Sequence, residues 1–390
     1  MSGHALLSAS SAHRWINCPP SARLSLQFPD TTSVYAAEGS LAHAIGELKL
    51  RKQFIEPMGQ RKFNTALKKL QDNELYQPEM LACTDTYVDF INQIAMSYPT
   101  KPYVAVEQRL DYSHIVPEGF GTGDCLVIGG NDLYIIDYKH GKTEVLAENN
   151  PQMRLYALGA LQRYEMLYDI KTVSMTIVQP RLDNICTDEM PVTELLAWGE
   201  SIKPIAAQAF AGEGDFCAGD WCRFCRARAQ CRHRAEHYAA LEAFGKQNPA
   251  LLDNGELGEI LATARGFKNW LTDVEDYTLA QLLAGDDIPG WKAVEGRSVR
   301  TFADIDKVFK ALTDAGIAEE LLWTRKPVGI TDAEKIAGKP KMTELAEQGL
   351  IIKPPGKPTL AQTTDNRPAI SNRITAAEAF KNEEDHNHDK

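Results

Sequence analysis

The sequence predicts a mixed α/β protein, a sheet flanked by helices and followed by a mainly helical C-terminal extension. Three observations carry that reading. Apolar residues in the first hundred positions recur at three- and four-residue spacing. Between residues 103 and 138 the pattern changes to short β-branched and aromatic runs. From residue 151 onward helical spacing returns, interrupted by one more strand.

In order along the chain, Ala36 to Leu50 is a run of helix formers, and Phe63 to Met96 is helical with a break near Pro78. Three strands follow, at Tyr103 to Glu107, Gly123 to Ile128 and Leu133 to Tyr138. Gly129-Gly130-Asn131-Asp132 supplies the tight turn that makes the last two a hairpin. Pro151 to Leu167 reads as a helix, Val173 to Val178 as a strand and Glu194 to Ala211 as a helix. Leu257 to Leu283 is a further helical segment, and Gly290-Trp291 opens an extended piece. Helix starts are expected at Thr301-Phe302-Ala303-Asp304 and, with capping-box spacing, at Thr331-Asp332-Ala333-Glu334. Pro354-Pro355-Gly356-Lys357-Pro358 is a linker or extended arm, and the polar tail from about Asn382 is expected to be disordered. The domain expectation is a core over 1–245, a mainly helical accessory domain over 246–375 and an acidic tail over 376–390.

With 390 residues, 44% hydrophobic and 24% charged, the composition is that of a globular protein. No run of apolar residues is long enough for a membrane span, and no basic segment followed by an apolar one marks a secretory signal. A cytoplasmic, reducing location is therefore expected, where eight cysteines point to metal binding rather than disulfides. A net charge of −11 excludes a nucleic-acid coat, but not an enzyme with a locally positive groove.

Chemistry concentrates in the sheet. Glu107, Asp124 and Asp137 lie in or beside apolar strands, where a carboxylate is costly unless it is paired or binds a cation. Asp137-Tyr138-Lys139 places Asp and Lys on one face of a strand, because side chains alternate with period two. A second Asp on the partner strand completes an acid–acid–base cluster able to hold Mg²⁺ or Mn²⁺. The triplet by itself reads first as a buried salt bridge, since such triplets are common. Upstream, His43 lies on a helix with Glu47 one turn later; downstream, Gln152 and Tyr156 share a helix face.

Taken in order, Gly39-x-x-x-His43, Gly123-Asp124, Asp137-x-Lys139 and Gln152-x-x-x-Tyr156 resemble the PD-(D/E)XK nuclease superfamily. Within it they are most similar to the branch containing the RecB and AddB nuclease domains and the CRISPR-adaptation exonucleases. The resemblance covers roughly residues 1 to 240 and implies a restriction-endonuclease-like core. It also implies His43, Asp124, Asp137 and the Tyr138 carbonyl as metal ligands and Lys139 as the catalytic lysine. Gln152 and Tyr156 would orient substrate or lysine, and Glu107 stands where many members carry an additional acid. Gly123 replaces the proline that gives the superfamily its name.

Cys222-x-x-Cys225 and Cys231 form a tight group that needs a fourth ligand. Cys217 is the local candidate, giving a small zinc knuckle, and Cys18 is the distant one. Spacing leaves both open. The arrangement of one N-terminal cysteine and a C-terminal Cys-x2-Cys-x5-Cys is similar to the iron–sulfur staple of AddB-type nucleases. That similarity implies a [4Fe–4S] cluster on Cys18, Cys222, Cys225 and Cys231. Cys83, Cys125 and Cys186 read as ordinary buried cysteines. Arg223, Arg226, Arg228, Arg232 and Arg234 are either a solvated face or a phosphate-contacting rim.

The resemblance thus implies an Mg²⁺- or Mn²⁺-dependent DNA exonuclease acting on single-stranded DNA or DNA ends. The whole chain also resembles an uncharacterised phage and prophage family found among replication and recombination genes. A single-strand binding protein or annealase is the expected partner, and an oligomer is allowed. The alternatives are a structure-specific endonuclease and a nuclease-derived DNA-binding or scaffold protein that no longer cuts.

Overall fold

The protein is described from a computed structural model over residues 5–29, 34–246, 251–294, 305–314, 318–322, 338–347 and 350. Contacts divide the chain into two compact units, Met1–Glu295 and Gly296–Lys390. In the first lie α1 (Ala12–Asn17), α2 (Ser21–Leu24), α3 (Val34–Leu50), α4 (Gln60–Gln71) and α5 (Glu79–Ser97). They precede β1 (Tyr103–Asp111), β2 (Phe120–Gly129) and β3 (Asp132–Tyr138). Then come α6 (Pro151–Tyr164), β4 (Thr172–Gln179), β5 (Asn184–Pro191), α7 (Val192–Ala211), α8 (Arg232–Ala239), α9 (Asn254–Thr263) and α10 (Phe267–Ala284). In the second unit the described residues form α11 (Ile305–Asp314), a 3₁₀ turn (Glu319–Leu322) and α12 (Lys339–Glu347). The expected helix starts at Thr301 and Thr331, the proline-rich stretch at 354–358 and the tail over 376–390 lie outside the described residues.

The fold is mixed α/β, as expected: one five-stranded sheet in the order β1-β2-β3-β4-β5, flanked by helices, with a helical C-terminal region. Neighbours are antiparallel except β3 and β4, which are parallel and joined by the α6 crossover. Both faces are covered. On one, Leu126, Ile128, Leu133, Ile135, Met175 and Ile177 pack with α6 and α7. On the other, Val127, Ile136, Tyr138 and Val178 pack with Leu41, Ala42 and Ile45 of α3 and with α5. The alternation along β3 is what sends Asp137 toward α6 and Tyr138 toward α3.

Three elements differ from the sequence reading. The polar segment Asn184-Ile-Cys-Thr-Asp-Glu-Met-Pro191, to which the sequence assigns no element, is an edge strand, β5, paired among the described residues with β4 alone. The single helix expected over Leu257 to Leu283 is two, α9 and α10, because Gly266 between them takes a φ of +83° that ends the first. These helices pack on the segment before 245: Tyr238 stacks on Trp270 at 5.1 Å, and Arg228 and Arg234 pair with Asp273 at 2.7 and 2.8 Å. The contact division falls at 295/296.

Candidate metal centre

The site forms where the β1–β2 ladder opens. Val106 pairs with Cys125 and Gln108 with Gly123, but the intervening Glu107 and Asp124 do not pair. Glu107 has a φ of +51°, a left-handed value unusual in a strand for a residue with a Cβ. Beyond that point both strands exchange faces: Ala105 and Leu110 of β1 lie in the same cluster, as do Leu126 of β2 and the Leu110 side chain that abuts Gly123. The local twist turns both carboxylates out of the ladder and into a common space.

His43, on α3, reaches that space from the opposite layer. Its Nδ1 lies 3.3 Å from Asp124 Oδ2, and its ring meets Tyr138 edge-on at 5.3 Å. The same Asp124 oxygen accepts the Tyr138 N–H at 2.8 Å. Ligand-capable atoms of His43, Glu107 and Asp124 all lie within 4.8 Å of one another, the one such group among the described residues.

Asp137 and Lys139 share a face, as their spacing requires, and form an ion pair at 2.8 Å. Gln152 ties this pair to α6. Its Oε1 accepts from Lys139 Nζ, and its Nε2 lies within bonding distance of Asp137 Oδ1 and the Tyr156 hydroxyl, each at 3.3 Å. Gln152 stands in the first turn of α6, whose start is fixed by Pro151 and by Asn150, the side chain of which accepts the Gln152 N–H. Tyr156 can approach β2 because position 121 is glycine; a Cβ there would sit 2.7 Å from the Tyr156 ring.

Charge in the site is unbalanced. Burial and the Asp124 charge push Glu107 up to about 7. For His43 burial opposes the imidazolium, but the Asp124 charge and hydrogen bond overcome it and raise the group to about 9. Asp124 is held below its ordinary value despite burial, by His43 and Lys139. Asp137 is raised by burial and by Asp124 even with Lys139 beside it. Lys139 is raised because Asp137 and Asp124 outweigh its burial. Glu107, Asp137 and His43 are thus all drawn toward their protonated forms, while Asp124 is drawn toward its charged one.

The structure brings His43, Glu107, Asp124, Asp137, Tyr138, Lys139, Gln152 and Tyr156 close together. The tightest donor set is His43, Glu107 and Asp124, with Asp137 held on the lysine side; Glu107, expected only as an additional acid, belongs to the set. Tyr138, expected to contribute its carbonyl, touches Asp124 through its amide. The donor set of one imidazole and carboxylate oxygens suits a divalent cation. Asp137 Oδ2 is buried and already meets the Lys139 ammonium at 2.8 Å, which keeps Asp137 on the lysine side of the site.

Sequence reading missed the support beneath α3. Arg181, from the turn after β4, bridges Glu38 of α3 and Glu79 of α5 and donates to the His140 carbonyl. His140 is buried, bonded to the Tyr138 hydroxyl at 2.8 Å, and lowered to about 4 by burial and by Arg181. The only sequence signal was a histidine directly after Lys139.

Cys18, Cys217, Cys222, Cys225 and Cys231 line one cavity, together with Arg14, Arg228 and Arg234. Cys18 Sγ accepts the Cys217 N–H at 3.5 Å, and Cys222 Sγ accepts that of Gly219 at 3.4 Å. No three of the sulfurs lie within 4.8 Å of one another among the described residues. Cys83 and Cys125 are buried elsewhere, and Cys186 accepts the Ala147 N–H. Of the five arginines, Arg234 is buried, and it and Arg228 are engaged by Asp273; Arg223 stacks on Phe224.

Fold and site together define a mixed α/β domain with a carboxylate-, histidine- and lysine-lined centre. Residues 4–368 match the model of the family described as "Protein of unknown function (DUF2800)", and the chain belongs to that family. A solved structure described as "Crystal structure of SSO0001" aligns at 12% identity over 57% of this chain and 96% of that chain, with a TM-score of 0.24. A likeness that low carries no argument about fold or function. No described helix is long and apolar enough to cross a membrane.

Proposed function

We propose that the chain is a divalent-cation-dependent phosphodiesterase acting on DNA, a PD-(D/E)XK nuclease of the RecB/AddB type with a restriction-endonuclease-like core. The observation that carries this is the convergence of His43, Glu107 and Asp124 within 4.8 Å, beside the Asp137–Lys139 pair. A plain buried salt bridge accounts for the pair but not for the three further groups assembled at an opened ladder.

His43, Glu107 and Asp124 would hold Mg²⁺ or Mn²⁺, beside the Asp137–Lys139 pair. A cation there supplies Lewis-acid polarisation of a phosphate oxygen and lowers the pKa of a bound water. Lys139 positions the attacking water and offsets charge that builds on the phosphate, as a fixed donor in a water-poor site. Gln152 holds the ammonium and Asp137 in register, and Tyr156 holds Gln152. Exposed Arg223, Arg226 and Arg232 supply a local positive rim on an acidic chain.

The cysteine cavity is assigned to a structural [4Fe–4S] cluster on Cys18, Cys222, Cys225 and Cys231. Five cysteines lining one cavity supply the four thiolates such a group needs, and a structural zinc through Cys217 is the alternative. The reading includes exonuclease action on single-stranded ends in recombination or replication, alongside a single-strand binding protein or annealase.

The test is purified chain with Mn²⁺ and labelled DNA, beside Asp124→Asn and Lys139→Met. Metal-dependent products from the wild type alone are expected; equal products from the variants, or none from the wild type, overturn the reading.

A further inference from the structure

The cysteine cavity contains a buried cation that no acid among the described residues matches. Arg14, on α1, is only 9% exposed. Its Nη1 donates to the Ser21 carbonyl at 2.7 Å and to the Ser21 and Ser25 hydroxyls at 3.0 Å each. All of these partners are neutral, and among the described residues no carboxylate forms an ion pair with Arg14. Arg234 lines the same cavity and is also buried, but Asp273 meets its charge at 2.8 Å.

A guanidinium taken out of water without a counter-charge is costly. Burial pulls the Arg14 pKa down, and the groups acting against that are Cys225 and Cys18. Ser25, one of the anchors, has its hydroxyl 3.8 Å from Cys225 Sγ. Guanidinium, anchors and sulfurs therefore form one assembly. As neutral thiols the cysteines give Arg14 nothing; as metal-bound thiolates they supply the missing negative charge. Four thiolates around a zinc ion, or around a [4Fe–4S]²⁺ core, leave the assembly with two negative charges in excess.

We infer that Arg14 is the built-in counter-charge for an anionic tetrathiolate metal group on Cys18, Cys222, Cys225 and Cys231. This rests on the metal reading of the cysteine cavity and adds a requirement to it: the charge of Arg14, rather than its bulk, holds the group. Arg14 does not touch the carboxylate centre, so its effect is read from the metal itself.

The experiment uses the full chain purified anaerobically as wild type, Arg14→Lys and Arg14→Met. Iron, zinc and acid-labile sulfide are counted per chain, and the rate of metal release to a chelator is followed. Where iron is present, the midpoint potential is measured by a mediated dithionite titration. Wild type and Arg14→Lys are expected to hold the same metal. Arg14→Met is expected to release it about ten- to a hundredfold faster, the usual cost of a lost outer-shell partner. Any iron cluster it keeps should have a more negative potential, because reduction adds negative charge that Arg14 no longer offsets. Iron with sulfide identifies the group as a cluster and zinc as a single ion; either satisfies the proposal. Equal release rates and potentials in wild type and Arg14→Met overturn the counter-charge. If Arg14→Met does not fold, Arg14→Lys decides, since loss of metal from that variant also overturns it. A wild type free of iron and zinc sinks the metal reading itself, and this inference with it.

Discussion

The carboxylate centre and the cysteine cavity are both places where buried groups find too little of the opposite charge, and they err in opposite directions. At the opened β1–β2 ladder carboxylates are buried and crowded, and Glu107 and His43 are both pushed toward their protonated forms. In the cavity a buried arginine stands among cysteines, with only neutral hydrogen-bond partners and no carboxylate paired with it among the described residues. The first centre is drawn from α3, β1, β2 and β3, which are packed together whether or not it is filled. The second joins segments far apart in sequence, such as Cys18 and Cys217, which are 199 residues apart. Emptying the first should disarm the molecule and leave it folded; emptying the second should release its ends.

The largest expected effect falls on the first centre alone. Lys139→Met removes the half-buried ammonium beside Asp137, and cleavage should fall about 10³-fold, or ~4 kcal/mol of transition-state stabilisation. Asp124→Asn should cut as poorly while keeping an acceptor for the Tyr138 N–H, and its melting temperature should stay within about 3 °C of wild type. A large loss of fold in Asp124→Asn would erase the distinction between the regions.

Next comes the cavity. The double change Cys222→Ser and Cys225→Ser should lower the melting temperature by roughly 10 °C, corresponding to a few kcal/mol in a chain of this size. Hydrogen exchange should quicken in α1, α2 and the 217–239 segment, with β2 and β3 still protected. An unchanged melt would remove the stapling role.

The pH dependence separates the regions further. Glu107, at about 7, and His43, at about 9, must both lose a proton to ligate a cation. Manganese affinity should therefore rise with pH, about tenfold per unit between pH 7 and 9, and toward a hundredfold per unit below 7. Calorimetry in two buffers of different ionisation heat counts the released protons, and an affinity flat from pH 6 to 8 would contradict the donor set. Both groups have raised values in the folded chain. Their contribution to metal-free stability is thus greatest at low pH and is lost as pH rises through about 7 and about 9. Added Mn²⁺ should reverse that loss.

The smallest effect is expected at Gly121→Ala. The new methyl would meet the Tyr156 ring at 2.7 Å and shift it away from Gln152. A fall in cleavage of about tenfold, with unchanged metal affinity, is the expected outcome. A matching loss of metal affinity would show that Gln152 and Tyr156 support the donor set rather than the lysine.

The strands bearing the acids were readable because apolar alternation and the Gly129–Asp132 turn are local signals. Asp137-x-Lys139 was readable as one face for the same reason. The membership of Glu107 in the donor set was not, because it depends on a left-handed residue that opens the ladder, and a glutamate gives no sign of that conformation. The Glu38–Arg181–Glu79 bridge was hidden because its members come from three distant segments, each ordinary alone. Arg14 escaped notice because its importance lies in lacking an acid partner. β5 was lost because an edge strand can be polar, and α9–α10 were merged because one glycine in a helical pattern is usually tolerated.

The most direct test of the central claim is single-turnover cleavage with Mn²⁺ on three single-stranded substrates: a 5′-labelled linear strand, a 3′-labelled linear strand and a closed circle. Wild type should shorten the linear strands progressively from one end and leave the circle intact, while Asp124→Asn does neither. Cutting of the circle would replace the exonuclease with an endonuclease at the same centre. Failure to cut any of the three, in a wild type that binds Mn²⁺, would contradict the catalytic account.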